Sequence, residues 1–232
     1  MKNIFYNLTC SLIIVIIFIN LCNSFRIIAD KIETKENIKT IIIDAGHGGE
    51  DGGTVSKDGT LEKDINLEIA LHLKNLFEAN DFKVIMTREE DTDLCDKSLT
   101  TVASRKKSDI IKRTETCNNS NAALVLSIHQ NYFEETKYSG AQMFYGKSEN
   151  SKELAEFLQE EIKNKLQPSN NREIKHGDSI YLLEHVNKPI VIVECGFLSN
   201  EEDLSNLKDK EYIKSLSFVI YMATNKYLDS LS

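Results

Sequence analysis

The stretch TIIIDAGHGGEDGG, Thr40 to Gly53, decides how this chain is read. It opens as a buried strand, with Ile41, Ile42 and Ile43 forming a β-branched apolar run. The run then meets an acid, Asp44, and a histidine, His47, set among Gly46, Gly48 and Gly49. Glycines at such a point let the backbone turn sharply and let another group approach closely. Beyond the loop, Leu61, Ile65, Ile69, Leu73 and Leu76 recur at helical spacing, and Phe82 to Thr87 reads as a second strand. Strand, loop, helix and strand in that order predict a parallel pair joined by a crossover helix.

The same alternation continues outward. Arg88 to Asp109 opens polar and irregular and reads as a surface excursion, and Asp109 to Ala122 reads as a helix giving way to an Asn-rich turn. Ala123 to His129 is almost continuously apolar, as a central parallel strand should be. Gly140 to Gly146 is a fourth strand, Ser151 to Leu166 a half-buried helix, and Ser179 to Leu183 a short strand or turn. Pro189 to Cys195 is another buried strand. Ser199 or Asn200 then caps an acidic helix start, and a last helix over Glu211 to Leu228 turns Ile213, Leu216, Ile220 and Ala223 inward. The fold class predicted is α/β: a single three-layer domain with a mainly parallel central sheet and helices on both faces.

Composition narrows the function. The chain has 232 residues, 41% hydrophobic and 28% charged, with a formal net charge of −8. A nucleic-acid binder needs a basic face, so no nucleic-acid partner is expected. Lys2 followed by the apolar run Ser11 to Cys22 reads as a signal peptide or membrane anchor over residues 1–25. Residues 26–38 read as a linker and 39–232 as the catalytic domain. Either fate of the leader places the body outside the cytoplasmic membrane, secreted or anchored. Of the cysteines beyond the leader, Cys95 and Cys117 are the one pair considered for a disulfide, while Cys195 sits in an apolar strand.

Three buried strands end in residues that bind metal or move protons: His47, His129 and Glu194. In an open α/β sheet, ligands gather beyond the carboxyl ends of the strands. Parallel strands would bring these side chains to one rim. Two histidines and a carboxylate are a common catalytic zinc set. Glu62, at the start of the first helix, is the preferred carboxylate because that helix fixes it, with Glu50, Asp51 and Asp64 as competitors. Zinc lowers the pKa of water it holds to about 7. Glu194, among apolar neighbours, would carry the proton as general base and then acid. The loop is not a dinucleotide fingerprint, because Asp51 stands where a third glycine is needed. It is not a phosphate loop either, because Thr54 stands where a lysine is needed. Arg88 and Lys175 are candidates for a substrate carboxylate, set against surface salt-bridge roles.

The blocks DAGHGGEDGG, LEKDINLEIA, TREED, LVLSIHQN, SGAQMFY and IVIVECGFLSN occur in one order. In this the chain resembles the zinc-dependent N-acetylmuramoyl-L-alanine amidases that cut bacterial peptidoglycan, from Thr40 to about Leu228. The resemblance implies one Zn²⁺ per chain on His47, Glu62 and His129, with Glu194 as the catalytic acid/base. KHGDSIYLLEH and the insert after TREEDTDL are most similar to the spore-cortex, germination-related members. That implies removal of stem peptides from muramic acid, preparing the sites where a separate deacetylase helps form muramic δ-lactam. No wall-binding repeat or autoinhibitory helix is read, so targeting by the leader or a partner, and an activating protein partner, are expected. Two rival readings stand beside this one: an inactive amidase fold that binds or scaffolds peptidoglycan, and a zinc carboxypeptidase acting on stem peptides.

Overall fold

The structure, a computed structural model, describes residues 39–231. The leader and most of the linker lie outside the described residues. The elements run β1 (Thr40–Ala45), α1 (Glu62–Glu78), β2 (Lys83–Met86), α2 (Val102–Asn118), β3 (Leu124–Asn131) and β4 (Gln142–Tyr145). They continue α3 (Ser151–Lys165), β5 (Lys175–His176), α4 (Tyr181–His185), β6 (Ile190–Phe197), α5 (Glu201–Lys208) and α6 (Lys210–Ser230). The sheet order is β2-β1-β3-β6-β4-β5. The first four strands of that order are parallel, and β4 joins β6 antiparallel.

This order has a consequence for the site. From β1 the chain crosses to β2 on one side, and from β2 it crosses back to β3 on the other. The two crossovers pack on opposite faces of the sheet. Ile65, Ile69 and Leu73 of α1 join Leu154 of α3 and Ile213, Leu216 and Ile220 of α6 in the larger core. Cys117 of α2 and Leu182 and Leu183 of α4 cover Ile42, Val125 and Ile192 on the other face. The helices on the two faces therefore diverge at the carboxyl ends of β1 and β3, the switch point where ligands gather in open α/β sheets. Each isoleucine fully buried in this sheet contributes about 1.5–3 kcal/mol relative to an exposed one, so the scaffold behind the switch point is rigid.

Several boundaries differ from the sequence reading. Ser179 to Leu183 is a turn only at its start: Ser179 lies in a turn, and Tyr181–His185 is a short helix, α4, with Leu182 and Leu183 turned into the core. β3 runs two residues past His129 and β6 three past Glu194, with an irregularity between His129 and Asn131. Inward pairing of α1 uses Phe77 rather than Leu76. α2 begins at Val102, inside the polar segment read as an excursion. Asn200 is the residue that caps α5, accepting from the Asp203 N–H. Cys95, Cys117 and Cys195 are all free thiols. Among the described residues no helix is long and apolar enough to cross a membrane.

Candidate active site

His47 stands two residues beyond β1 with a left-handed backbone, φ 60°. A non-glycine residue seldom holds that conformation without support. Support comes from two buried arginines. Arg113 of α2 donates to the His47 carbonyl at 2.6 Å and to the Ala45 carbonyl at 2.7 Å. Arg88 donates to the carbonyls of Ala45, Gly46 and Lys63 at 2.9, 3.0 and 2.7 Å. Arg88 is thus a buried strut of the glycine loop. Its donors are spent on backbone carbonyls, which corrects the reading of Arg88 as a surface salt bridge. Lys175 is exposed on the edge strand β5, away from the cluster described next.

Glu62 is the first residue of α1, and the loop caps that helix end with its own backbone. The Glu62 N–H reaches the Thr54 carbonyl at 3.0 Å and the Lys63 N–H the Gly52 carbonyl at 3.2 Å. The Glu62 carboxylate is buried and turned inward. Its Oε2 accepts from the Thr54 N–H at 2.8 Å, and its Oε1 from the Gln130 N–H at 3.1 Å. Oε1 also lies 2.9 Å from His129 Nδ1 and 3.3 Å from His47 Nε2. One ligand atom from each of His47, Glu62 and His129 falls within 4.8 Å of the others, so the three could hold a metal ion. Of the competing carboxylates, Glu50 pairs with Arg105 and Asp64 is exposed. Asp51 instead accepts from His47 Nδ1 at 2.8 Å, and Lys106 holds its other oxygen at 2.7 Å. A second-row carboxylate of this kind fixes which ring nitrogen of a histidine is presented.

The glycines make room for this geometry. A Cβ on Gly46 would lie 2.2 Å from His129 Nε2, and one on Gly53 2.5 Å from Glu62 Oε2. Only a bare backbone lets the loop close over the two ligands. The sequence reading saw the need for close approach; the structure shows what approaches.

Glu194 is the register partner of His129 on the adjacent strand, so the two side chains share a face. Its Oε2 is buried and has no hydrogen-bond partner. Burial pushes the carboxyl pKa up to about 7, with the charges of His129 and His47 opposing and that of Glu62 assisting. On Glu62 burial likewise raises the pKa, but hydrogen bonds from His129 and His47 outweigh it and hold the group far below the carboxylate range. The site therefore carries one permanently ionised carboxylate and one poised near neutrality. Separated pairs of this kind mark acid/base assignments. A buried, unpartnered oxygen facing two imidazoles and a glutamate is also the environment that a cation and its water would satisfy.

Two histidines and a carboxylate that could hold a metal ion, beside a carboxyl of raised pKa, are a set that metal-dependent hydrolases use. The comparisons place it more closely. The pattern of the N-acetylmuramoyl-L-alanine amidase family matches residues 41–226, and the chain belongs to that family. It is 38% identical over 190 residues to the germination-specific N-acetylmuramoyl-L-alanine amidase of Bacillus subtilis, spanning 82% of this chain and 79% of that protein. Among solved structures it is similar to the CwlD amidase of Clostridioides difficile in complex with the GerS lipoprotein. That match has 47% identity and a TM-score of 0.80, covering 83% of this chain and 99% of that one. An N-acetylmuramoyl-L-alanine amidase of Clostridium difficile 630 matches at 31% identity and TM-score 0.72, over 84% and 100% of the two chains.

Sequence reasoning missed three supports. Asp44 looked like a mere strand end, yet it accepts from Thr87 Oγ1 and Arg113 Nη1, each at 2.7 Å, and from Ser127 Oγ at 2.6 Å. Arg113 gave no signal in a helix read only for its turn. Asn66, four residues after Glu62, donates to the Gly46 carbonyl at 3.1 Å; its spacing on the helix was the available clue.

Proposed function

We propose that the chain hydrolyses the amide between the lactyl group of N-acetylmuramic acid and L-alanine with one zinc ion. His47, Glu62 and His129 hold the ion, and Glu194 is the acid/base. The observation that carries this reading is the orphaned Oε2 of Glu194, in register with His129. Zinc bound there supplies a Lewis acid that polarises the scissile carbonyl and makes water acidic. Glu194 takes the proton from the attacking water at its free oxygen and passes it to the leaving alanine nitrogen. A pKa near the working pH suits both transfers. Asp51 keeps His47 in one tautomer, and the buried arginines hold the loop in the geometry the ligands need.

The named activity of the Bacillus subtilis relative supports a role in the spore cortex, where freed muramic acid would feed δ-lactam formation by a separate deacetylase. The solved relative in complex with a lipoprotein supports an activating protein partner. Export through the leader, with cleavage or anchoring, fits a peptidoglycan substrate. Digestion of purified peptidoglycan with and without a chelator tests the proposal. Free stem peptides that vanish on chelation are expected. Stem peptides trimmed at their ends would identify a carboxypeptidase, and unchanged sacculi a scaffold.

A further inference from the structure

Beyond the cluster, the sheet carries a fourth polar position on the same face. Gln142 of β4 is the register partner of Glu194. Directly opposed residues on neighbouring strands share a face, so His129, Glu194 and Gln142 form one row across the rim. The row ends in Arg172. Its Nη1 donates to Gln142 Oε1 at 3.0 Å and its Nε to the Ser139 carbonyl at 2.8 Å. Its guanidinium carbon lies 4.3 Å from the Phe197 ring centroid and 5.7 Å from that of Tyr138. Gln142 is itself fixed, donating to the Glu173 carbonyl at 2.8 Å. The fork is therefore held rigidly in a half-buried position.

What the fork lacks is an anion. No carboxylate among the described residues pairs with Arg172, and Nη2 has no acceptor among them. Asp203, the acid whose charge reaches it, spends its Oδ2 on the Gly140 and Phe197 N–H groups, each at 2.8 Å. A rigid guanidinium with an idle donor is suited to a planar anion. Neighbouring strands lie about 4.8 Å apart, and an extended peptide advances about 3.4 Å per residue. An anion held by Arg172 thus lies at least one strand spacing beyond Glu194, within reach of the substrate residues that follow the one whose nitrogen Glu194 protonates.

We propose that Arg172 binds the free α-carboxylate of the second stem-peptide residue and makes the enzyme prefer unamidated stems. The inference rests on the amidase reading above and names its substrate preference. A structural tie between the 133–140 loop and β4 would explain the two hydrogen bonds, but it gives no reason for a guanidinium left with an idle donor.

The test uses the full chain loaded with zinc and two muramoyl-tripeptides that differ only in that carboxyl, free or amidated. The ratio of kcat/KM for the free over the amidated substrate is the readout. A charge-assisted hydrogen bond at a half-exposed position predicts a ratio of about tenfold for the parent chain. Arg172→Gln should bring it to about one, through KM on the free substrate. Arg172→Lys, which keeps the charge without the fork, should retain part of it. A ratio of one in the parent, or equal losses on both substrates in the two variants, overturns the proposal. Cleavage of neither substrate by the parent overturns the amidase reading itself.

Discussion

Two carboxylates, a buried one on β1 and a half-buried one on β6, share a face of the sheet with β3 between them. Asp44 lies in register with Ser127, and Ser127 with Ile192; Glu194 follows two residues later. Asp44 is fully engaged by Arg113, Ser127 and Thr87. Burial raises its pKa, but the Arg113 charge and these hydrogen bonds prevail and bring it down to about 2. Glu194 is equally enclosed at Oε2 but has no partner there, and burial pushes it up to about 7. A carboxyl with partners is thus held as an anion, and one whose enclosed oxygen has none is held near neutrality. Partners are what bring the first pKa down while burial lifts both.

The largest effect should come from breaking the free member of the pair. Glu194→Gln keeps the shape but cannot move a proton, so turnover should fall by about 10²–10⁴-fold. Its thermal midpoint should hold or rise, because no partner is lost. Near-parent turnover on purified sacculi would remove Glu194 from the chemistry. Breaking the satisfied member should do the reverse. Asp44→Asn removes one of the two carboxylates that pair with Arg113, leaving Asp109, and should cost about 1.5–3 kcal/mol in urea unfolding. A loss within experimental scatter would show that the Asp44 network is dispensable.

A milder perturbation sharpens the contrast at the ligands. Asp51→Asn removes the carboxylate that orients His47 and should weaken zinc binding by about 10–100-fold in a chelator competition, with the fold intact by circular dichroism. Unchanged affinity would mean that the loop alone orients the ring. The pH dependence of stability, followed on metal-free protein, separates the two acids by sign. The lowered pKa of Asp44 gives stability that is full above its unfolded value of 3.8 and is lost as pH falls through about 2. The raised pKa of Glu194 gives stability that is full below 4.5 and is lost as pH rises through about 7. Glu194→Gln should flatten only the second slope. Smallest of all, a reductant should leave the melting temperature unchanged, since Cys95 and Cys117 are free thiols.

What the sequence discloses follows from the same physics. His47, His129 and Glu194 were legible because each interrupts an apolar run where a parallel sheet delivers its strands to one rim. Glu62 was preferred for the helix that fixes it, and the choice among four acids rested partly on the family resemblance. Asp44, Arg113 and Arg172 were illegible: their partners are 40 or more residues away for Asp44 with Arg113, and 30 for Arg172 with Gln142. No local period encodes such pairings. Tyr181 to Leu183 was misread because four hydrophobic residues in the five from Ser179 cannot separate a period of two from one of 3.6. Strand ends ran past their functional residues because pairing with a neighbour, rather than residue type, sets where a strand stops.

The central claim is that the two imidazoles and Glu62 share one divalent ion, with Glu194 outside the ligand set. Elemental analysis of the purified parent, His129→Ala and Glu194→Gln chains addresses it in one measurement. One zinc per chain is expected in the parent and in Glu194→Gln, and little or none in His129→Ala. Equal zinc in all three, or zinc lost from Glu194→Gln alone, would contradict the account.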